Sequence, residues 1–279
     1  MTLDRLESEL IAIAGEYSGT CTWSLTHLAT RDHIARDEGR VMPTASLIKV
    51  PVLAALYAAA EAGGFALTDR ITYAQEHRCL GSGVLSKLTP GVQMTVRDAA
   101  VLMMTISDNS ATNMCIDLVG IEAINAGMRS LGLDRTTLFY RLGDRTPGLD
   151  ARRMSVSTAG EMVGLMTLIA GHACVSADAS EDMLRIMRRS DYRHELSAEL
   201  PWNEMNMLGD PKVAWVAEKG GSFLNGVRTC AAVFHGPRGS FVMSAFCEGG
   251  TGPGSGRSSE GNRTIGRLGK AAWDALSAG

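Results

Sequence analysis

The stretch PTASLIK at residues 43–49 decides how the rest of the chain is interpreted. Thr44 is a residue type that favours helix N-caps, and the apolar, alanine-rich run 47–60 follows it, so we predict a buried helix with Ser46 in its first turn. Residues three apart share a helix face, which places the Lys49 amine beside the Ser46 hydroxyl. A lysine in apolar surroundings can lose its proton near neutral pH, and the neutral amine can then activate a serine. Taken alone, the pattern more often marks an ordinary helix start with a chance lysine.

Composition and charge restrict the classes of protein to consider. The chain has 279 residues, of which 45% are hydrophobic and 20% charged, as in a globular protein with one large domain or two moderate ones. A net charge of −3 and a pI near 6.1 give no basic surface for nucleic acid. No apolar run approaches the roughly 18 residues of a membrane-spanning helix, so we expect no membrane partner.

The sequence contains few signals of cellular targeting or of cysteine redox chemistry. Residues 1–14 are acidic and amphipathic, without the basic and continuously apolar regions of a secretory signal. We therefore predict a cytoplasmic protein, or a secreted one if its signal has been removed. The six cysteines are widely spaced and form no Cys-x-x-Cys pair, so we predict small buried thiols without a disulfide framework or a metal site.

The distribution of apolar residues predicts an α+β protein. Strands are predicted where β-branched and apolar residues cluster between Gly/Pro-rich turns, at 19–26, 40–42, 213–219, 228–235 and 241–248. Helices are predicted at 2–15, 47–60, 99–106, 111–119, 121–130, 157–170 and 263–278. Because the turns between the last three strands are short, those strands pair antiparallel.

We therefore expect an antiparallel five-stranded sheet flanked by the N- and C-terminal helices, beside an all-helical lobe. Residues 1–44 and 191–279 are assigned to the sheet lobe, and residues 45–190 to the helical lobe. The two lobes are expected to form one structural unit with the active site between them.

A polar tripeptide, Ser107-Asp108-Asn109, stands between two of the predicted helices. The first helix opens with a capping box in which Thr95 is the N-cap and Asp98 replaces the usual glutamate. Polar residues between two apolar helices are either a capped helix break or part of a site.

A third candidate element, Lys219-Gly220-Gly221, ends a predicted strand. Because side chains alternate along a strand, Lys219 and residue 221 share a face, and the glycines let a substrate lie close to the strand. Arg228 on the next strand is placed to hold an anion with two parallel hydrogen bonds. The alternative is a lysine at a strand end followed by a glycine turn.

Taken together, Ser-x-x-Lys, Ser-x-Asn and Lys-x-Gly in this order and spacing resemble the motifs of penicillin-recognising serine enzymes, most closely the class A β-lactamase family. The segment KLTPGVQMTVRD at residues 87–98, which leads into SDNSATN at 107–113, is similar to the central segment of that family. The likeness covers nearly the whole chain and implies the same fold.

The resemblance implies a role for each residue of the three motifs. Ser46 would be the acylated nucleophile, and Lys49 its general base or a proton relay. Ser107 would pass a proton to the leaving nitrogen, and Asn109 would bind the substrate side chain and orient Lys49. Lys219 would add positive charge beside Ser107 and hold the substrate carboxylate.

The resemblance also implies an oxyanion hole and an anion site. The backbone N–H groups of Ser46 and Ser222 would form the oxyanion hole. Each donor of such a hole typically lowers the activation free energy by about 2.7–4 kcal/mol. Gly221 would let the substrate approach this strand, and Arg228 would bind the substrate carboxylate.

The chain departs from the family pattern at two places. Class A β-lactamases carry a Glu-x-x-Leu-Asn motif in an omega loop, and the matching loop at residues 138–150 has neither that motif nor a glutamate. Asp144 is the nearest carboxylate, either as a shorter base or as a loop charge that is solvated or paired with Arg141 or Arg145. The family's usual Lys-Thr-Gly or Lys-Ser-Gly motif is replaced by Lys219-Gly220-Gly221, so the hydroxyl group that helps to bind the substrate carboxylate is missing.

We therefore predict a serine hydrolase that forms an acyl-enzyme at Ser46 on a β-lactam, amide or ester, with slow deacylation. One alternative is an esterase, peptidase or acyltransferase of a biosynthetic pathway. Another is a non-catalytic binding protein, although binding alone needs no nucleophile–base pair. We expect a monomer that takes a small-molecule acyl substrate and needs no cofactor.

Overall fold

The structure, a computed structural model, describes residues 2–143, 150–202, 213–254 and 256–278. Its α-helices are α1 (Leu3–Gly15), α2 (Lys49–Glu61), α3 (Val96–Thr105), α4 (Asn109–Val119), α5 (Ile121–Ser130), α6 (Ala159–Ala170), α7 (Ala177–Met187) and α8 (Glu260–Leu276). Its strands are β1 (Thr20–His27), β2 (His33–Arg36), β3 (Met42–Pro43), β4 (Arg70–Thr72), β5 (Gln93–Thr95), β6 (Thr137–Leu138), β7 (Ser155–Ser157), β8 (Trp215–Ser222), β9 (Arg228–Gly236) and β10 (Gly239–Glu248).

The main sheet has five strands in the order β2-β1-β10-β9-β8, and all of its pairings are antiparallel. Alternate residues of its strands face two different cores, as the two-residue repeat of a strand requires. Ala232 and Phe234 of β9 pack in the core with α1 and α8, whereas Ala231 and Val233 pack in the core with the other helices. The α+β prediction is confirmed.

One strand of the main sheet was predicted at the wrong place. We expected residues 40–42 to supply the second strand and residues 30–39 to form a turn, but the edge strand is β2 (His33–Arg36). Met42 and Pro43 pair instead with β7 in a separate small sheet. Only Ile34 of β2 is buried, so an edge strand of this kind gives little hydrophobic signal.

The segment between residues 45 and 190 contains α2 to α7 together with the short strands β4 to β7, which the sequence did not predict. Helix α2 is buried along residues 49–57 and lies within the larger core. An apolar surface on all sides of a helix is typical of such a central position. Helix α7 was also missed, although Ser176 caps it by accepting a hydrogen bond from the Ala179 N–H. The proposed boundaries between the two lobes stay a prediction.

The six cysteines are buried free thiols, so the prediction of small buried side chains is confirmed. Within the described ranges, no helix has the length and apolar character needed to cross a membrane.

Candidate active site

Ser46 lies in a 3₁₀ turn, Ala45–Ile48, that leads directly into α2. The prediction that Thr44 caps this helix is wrong in detail, because its side-chain oxygen bonds to the Ser155 hydroxyl, at 2.5 Å, and not to a helix N–H. Ser46 is partly exposed while its neighbours in the turn are buried. The tight turn therefore leaves the Ser46 residue partly exposed, although the first turn of the helix around it is buried.

Two residues of the site have strained backbone conformations. Ala45, which precedes the candidate nucleophile, has a φ of 45°, and Ser107 has a φ of 55°. Residues with a Cβ rarely adopt this left-handed region, and each instance costs on the order of 1–3 kcal/mol. The surrounding packing holds both residues there, which fixes the two serines relative to the backbone.

Lys49 connects the turn to the tripeptide between α3 and α4. Its Nζ donates to the Ser107 carbonyl at 2.7 Å, to the Ser107 hydroxyl at 2.9 Å and to the Asn109 side-chain oxygen at 2.9 Å. The side chain is fully buried. Among the described residues, the hydrogen bonds of this amine thus lead to Ser107 and Asn109, and none leads to Ser46.

Burial and a neighbouring cation set the charge state of Lys49. Desolvation is the larger cause that lowers its pKa well below the usual range, and the positive charge of Lys219 adds to it. Asp108 opposes this shift. A lysine with a strongly lowered pKa can accept a proton near neutral pH, which is the property that a general base needs.

Asp108 is a structural residue that the sequence reasoning left without a role. Its carboxylate accepts hydrogen bonds from the backbone N–H groups of Val84, Leu85 and Ala111, and it caps α4. Gly83 passes so close that a Cβ there would lie 2.3 Å from this carboxylate. One buried aspartate thus ties the loop before Leu85 to Ser107 and Asn109.

Strand β8 brings Lys219 and Gly221 to the Ser46 turn. A Cβ on Gly221 would lie 2.8 Å from the backbone nitrogen of Ser46 and 2.6 Å from the Thr229 hydroxyl. Thr229 donates to the Thr44 carbonyl at 2.7 Å and so fastens β9 to the start of the turn. Only glycine permits this approach, which puts the strand beside the Ser46 N–H.

A cavity of about 290 Å³ opens at this place. The predicted residues that line it are Ser46, Ser107, Lys219, Gly221 and Ser222. Lining residues that were not predicted to have a role are Ser82, Tyr192, His194, Glu195, Gly220, Gly256, Arg257 and Asn262. The three sequence motifs therefore meet at one cavity, although 173 positions separate Ser46 from Lys219 in the chain.

Two predicted substrate-binding residues do not line this cavity. Arg228 donates from its guanidinium to the carbonyls of Phe223 and Val227, at 3.0 and 2.7 Å, and to the Ser259 hydroxyl at 3.1 Å. Asn109 accepts from Lys49 and donates to the Leu80 carbonyl at 2.9 Å. Both side chains are used to hold neighbouring loops.

The loop that should supply a deacylating carboxylate is only partly described. Asp144 lies outside the described residues, so its proposed role as a base stays a prediction. The start of the loop is fixed by Asn113, which accepts from the Leu142 N–H at 2.9 Å and donates to the Leu142 carbonyl at 3.0 Å. Asp150, at the other end, lines a different cavity, and Arg141 pairs with Asp117 at 3.2 Å.

Comparisons with known proteins agree with this geometry. The family model described as the β-lactamase enzyme family matches residues 5–276. A β-lactamase from Sphaerobacter thermophilus DSM 20745 is 25% identical, with a TM-score of 0.85 over 99% of this chain and 98% of that one. PBP-A is 25% identical, with a TM-score of 0.83 over 98% and 96% of the two chains.

A mutant of PBP-A, solved as an acyl-enzyme complex with penicillin G, is 24% identical, with a TM-score of 0.82 over 98% and 96%. A search of curated protein sequences gives no match. Because the family model covers almost the entire chain, this protein belongs to the β-lactamase enzyme family, as a member that resembles the class A enzymes and PBP-A.

Proposed function

We propose that this protein is a serine hydrolase that forms an acyl-enzyme at Ser46 on a small amide, lactam or ester. The observation that carries the proposal is the hydrogen bond of 2.9 Å between Lys49 and the Ser107 hydroxyl, behind a cavity that both serines line. This arrangement supports the proposed roles of Ser46 as nucleophile, Lys49 as base and Ser107 as proton donor. The cavity volume of about 290 Å³ suits a small-molecule substrate.

The proposed reaction begins from the neutral form of Lys49, which has two N–H donors for Ser107 and Asn109 in place of the three of the ammonium form and a lone pair that accepts the Ser46 proton. The Ser46 oxygen then forms a bond to the substrate carbonyl carbon, and the backbone N–H groups of Ser46 and Ser222 stabilise the resulting oxyanion. When the carbon–nitrogen bond of an amide or lactam breaks, Ser107 gives its proton to the nitrogen. Lys49 then returns the proton to Ser107 through their hydrogen bond, so that Lys49 and Ser107 regain their starting protonation states and the proton lost by Ser46 ends on the substrate nitrogen.

We further propose that deacylation is slow. Hydrolysis of the ester at Ser46 needs a water whose proton is accepted as its oxygen attacks the carbonyl carbon. The loop at residues 138–150 lacks the glutamate that serves this purpose in class A β-lactamases. The penicillin G acyl-enzyme described for the PBP-A mutant supports an acyl state that lasts long enough to observe in this fold.

A fluorophosphonate tests the nucleophile directly, because it phosphonylates an activated serine and stays attached. We expect one phosphonyl group per wild-type molecule by intact mass, none on Ser46→Ala, and a labelling rate about 10²–10⁴-fold lower for Lys49→Met. Ser130→Ala, which changes an exposed serine of α5, should label like the wild type. Equal labelling of wild type and Ser46→Ala would contradict the proposal.

A further inference from the structure

Glu195 takes the space that a side chain at position 220 would need. A Cβ on Gly220 would lie 2.6 Å from both the carboxyl carbon and the Oε2 of Glu195. The motif Lys219-Gly220-Gly221 therefore lacks a hydroxyl at its second position and has a carboxylate behind it. The two features are coupled, because a larger residue at 220 would displace the Glu195 side chain.

Two acceptor atoms in the cavity wall have no hydrogen-bond partner among the described residues. Oε2 of Glu195 and Oδ1 of Asn262 are both buried and unpaired, and each residue is only 4% exposed. The Asn262 amide nitrogen donates to the Gly256 carbonyl at 3.0 Å, which leaves its oxygen as the free atom. Buried acceptors are almost always satisfied in folded proteins, so these two atoms call for a donor from a ligand.

The two residues belong to one wall of the cavity. Asn262 and Gly266 lie one turn apart on the same face of α8. A Cβ on Gly266 would be 3.4 Å from the Glu195 carbonyl oxygen, so this face packs directly against Glu195. Both side chains line the same cavity as Ser46.

Lys219 does not neutralise this carboxylate by direct contact. Its Nζ donates to the Gly220 carbonyl at 2.5 Å, and within the described ranges no ion pair of 4.0 Å or less joins it to Glu195. The cavity therefore has a cationic group near Ser107 and an acceptor wall beside Gly220.

We propose that Glu195 and Asn262 form an acceptor subsite that selects acyl substrates carrying an N–H donor, such as an ammonium or carboxamide group, beside Gly220. A substrate with a carboxylate at that position is disfavoured, because its charge would face the Glu195 carboxylate at short range. This inference rests on the proposed acylation of Ser46 and specifies its substrate class.

The ionisation of Glu195 should control this preference. Burial is the largest cause that raises the Glu195 pKa towards neutral pH, and the charge of Glu218 adds to it. Lys219 and the His194 backbone N–H oppose the shift, as does Arg228. Among the described residues, the charged and titratable groups near Glu195 are Glu218 and Lys219 of β8, Arg228 and Cys230 of β9, and Tyr192, His194 and Arg257 at the same cavity. As the pH falls, the protonated carboxyl group loses its charge and gains a donor, so the preference against a carboxylate should weaken.

The experiment compares benzylpenicillin with its carboxamide, in which the free carboxylate becomes an uncharged N–H donor. At pH 8 we expect the carboxamide to acylate the wild type at least about tenfold faster than benzylpenicillin does, measured by intact mass. The reason is that only the carboxamide can donate a hydrogen bond to the charged Glu195 carboxylate. In Glu195→Gln the ratio of the two acylation rates should fall to about one or be reversed. Glu199→Gln, which removes an exposed carboxylate four positions away, should keep it.

Two further measurements separate this proposal from the acylation itself. The carboxamide-to-acid ratio should fall between pH 8 and pH 6 for the wild type and stay constant for Glu195→Gln. On Ser46→Ala, which cannot be acylated, calorimetry should give tighter binding of the carboxamide than of the acid. Equal affinities, or no binding of either compound, overturn the subsite, whereas a wild type that forms no adduct but prefers the carboxamide in binding overturns only acylation.

Discussion

At the scale of single residues, Lys49 is the group whose charge controls the proposed chemistry. Desolvation and the nearby charge of Lys219 lower its pKa well below 10.5, and the neutral form is the one that can accept the Ser46 proton. The amine also donates to the hydroxyl of Ser107, the proposed proton donor, so the proposed base and proton donor are in direct contact.

The pH dependence of labelling should report this lowered pKa. The rate of fluorophosphonate labelling at Ser46 should rise with pH while Lys49 loses its proton and reach a plateau well below pH 10.5. The measurement is the second-order labelling rate between pH 5 and pH 10. A rate that still increases about tenfold per pH unit above pH 9 would show that Lys49 keeps its ordinary pKa.

Residue chemistry was partly readable from the sequence. Ser46, Lys49, Ser107 and Lys219 were assigned to one site because their motifs have recognisable spacing, and the structure brings them together. No sequence motif marks Glu195 as a residue of the site, because its side chain occupies space that the absence of a side chain at Gly220 leaves free in the folded structure.

At the scale of elements, the approach of β8 to the Ser46 turn is the critical contact. Gly221 lies where a methyl group would be 2.8 Å from the backbone nitrogens of both Ser46 and Leu47. Neither atom is a flexible side-chain end, so the strand or the turn must move if the space is filled. The proposed oxyanion hole depends on this spacing.

Gly221→Ala should therefore slow acylation about 10²–10³-fold, the cost of losing one oxyanion donor. The measurement is the labelling rate at a fluorophosphonate concentration far below saturation. Gly127→Ala serves as the control, because no described atom outside the neighbouring backbone of its own helix lies within 4 Å of a Cβ at this position of α5. A Gly221→Ala protein that labels at the wild-type rate would show that the strand does not set the oxyanion geometry.

Helices α2, α3 and α7 are joined by one carboxylate. Asp182 accepts from Tyr57 at 2.6 Å and from the Arg97 guanidinium at 2.8 and 2.6 Å. Burial alone would raise the Asp182 pKa, but the hydrogen bonds from Arg97 and Tyr57 outweigh it and leave the pKa lowered. Folding thus favours the ionised form.

Asp182→Asn should lower the free energy of unfolding by about 1–3 kcal/mol at pH 7, measured by urea denaturation. The stabilisation is complete well above the ordinary aspartate pKa of about 3.9 and is lost as the pH falls through the lowered pKa of the folded state, so the two proteins should converge in acid. Glu181→Gln, on the exposed side of α7, should change stability by less than about 0.5 kcal/mol. If the difference in free energy of unfolding between the two proteins persists in acid, it does not come from the ionised Asp182 carboxylate.

Elements were predictable where local signals agree. The helix at residues 121–130 begins and ends as expected, and the capping box of Thr95 and Asp98 is present. The edge strand β2 was missed because one buried residue carries no periodicity, and the 3₁₀ turn at Ser46 was missed because Thr44 bonds to the distant Ser155. These features depend on partners more than 100 positions away or on tertiary burial.

At the scale of the whole molecule, the site lies where the main sheet meets the helical segment. Strand β8 supplies Lys219, the turn before α2 supplies Ser46, and the α3–α4 junction supplies Ser107. The proposed nucleophile, proton donor and cationic group thus come from three separate elements, and the two hydrophobic cores on either side of the sheet hold these elements in place.

The most direct test of the account is the intact mass of the protein after mixing with a large excess of benzylpenicillin, followed from seconds to hours. We expect a single adduct with the mass of intact benzylpenicillin that forms faster than it decays, and none on Ser46→Ala. Rapid product formation without a detectable adduct would contradict slow deacylation, and a protein that neither gains mass nor forms product would contradict the acylation of Ser46 by β-lactams.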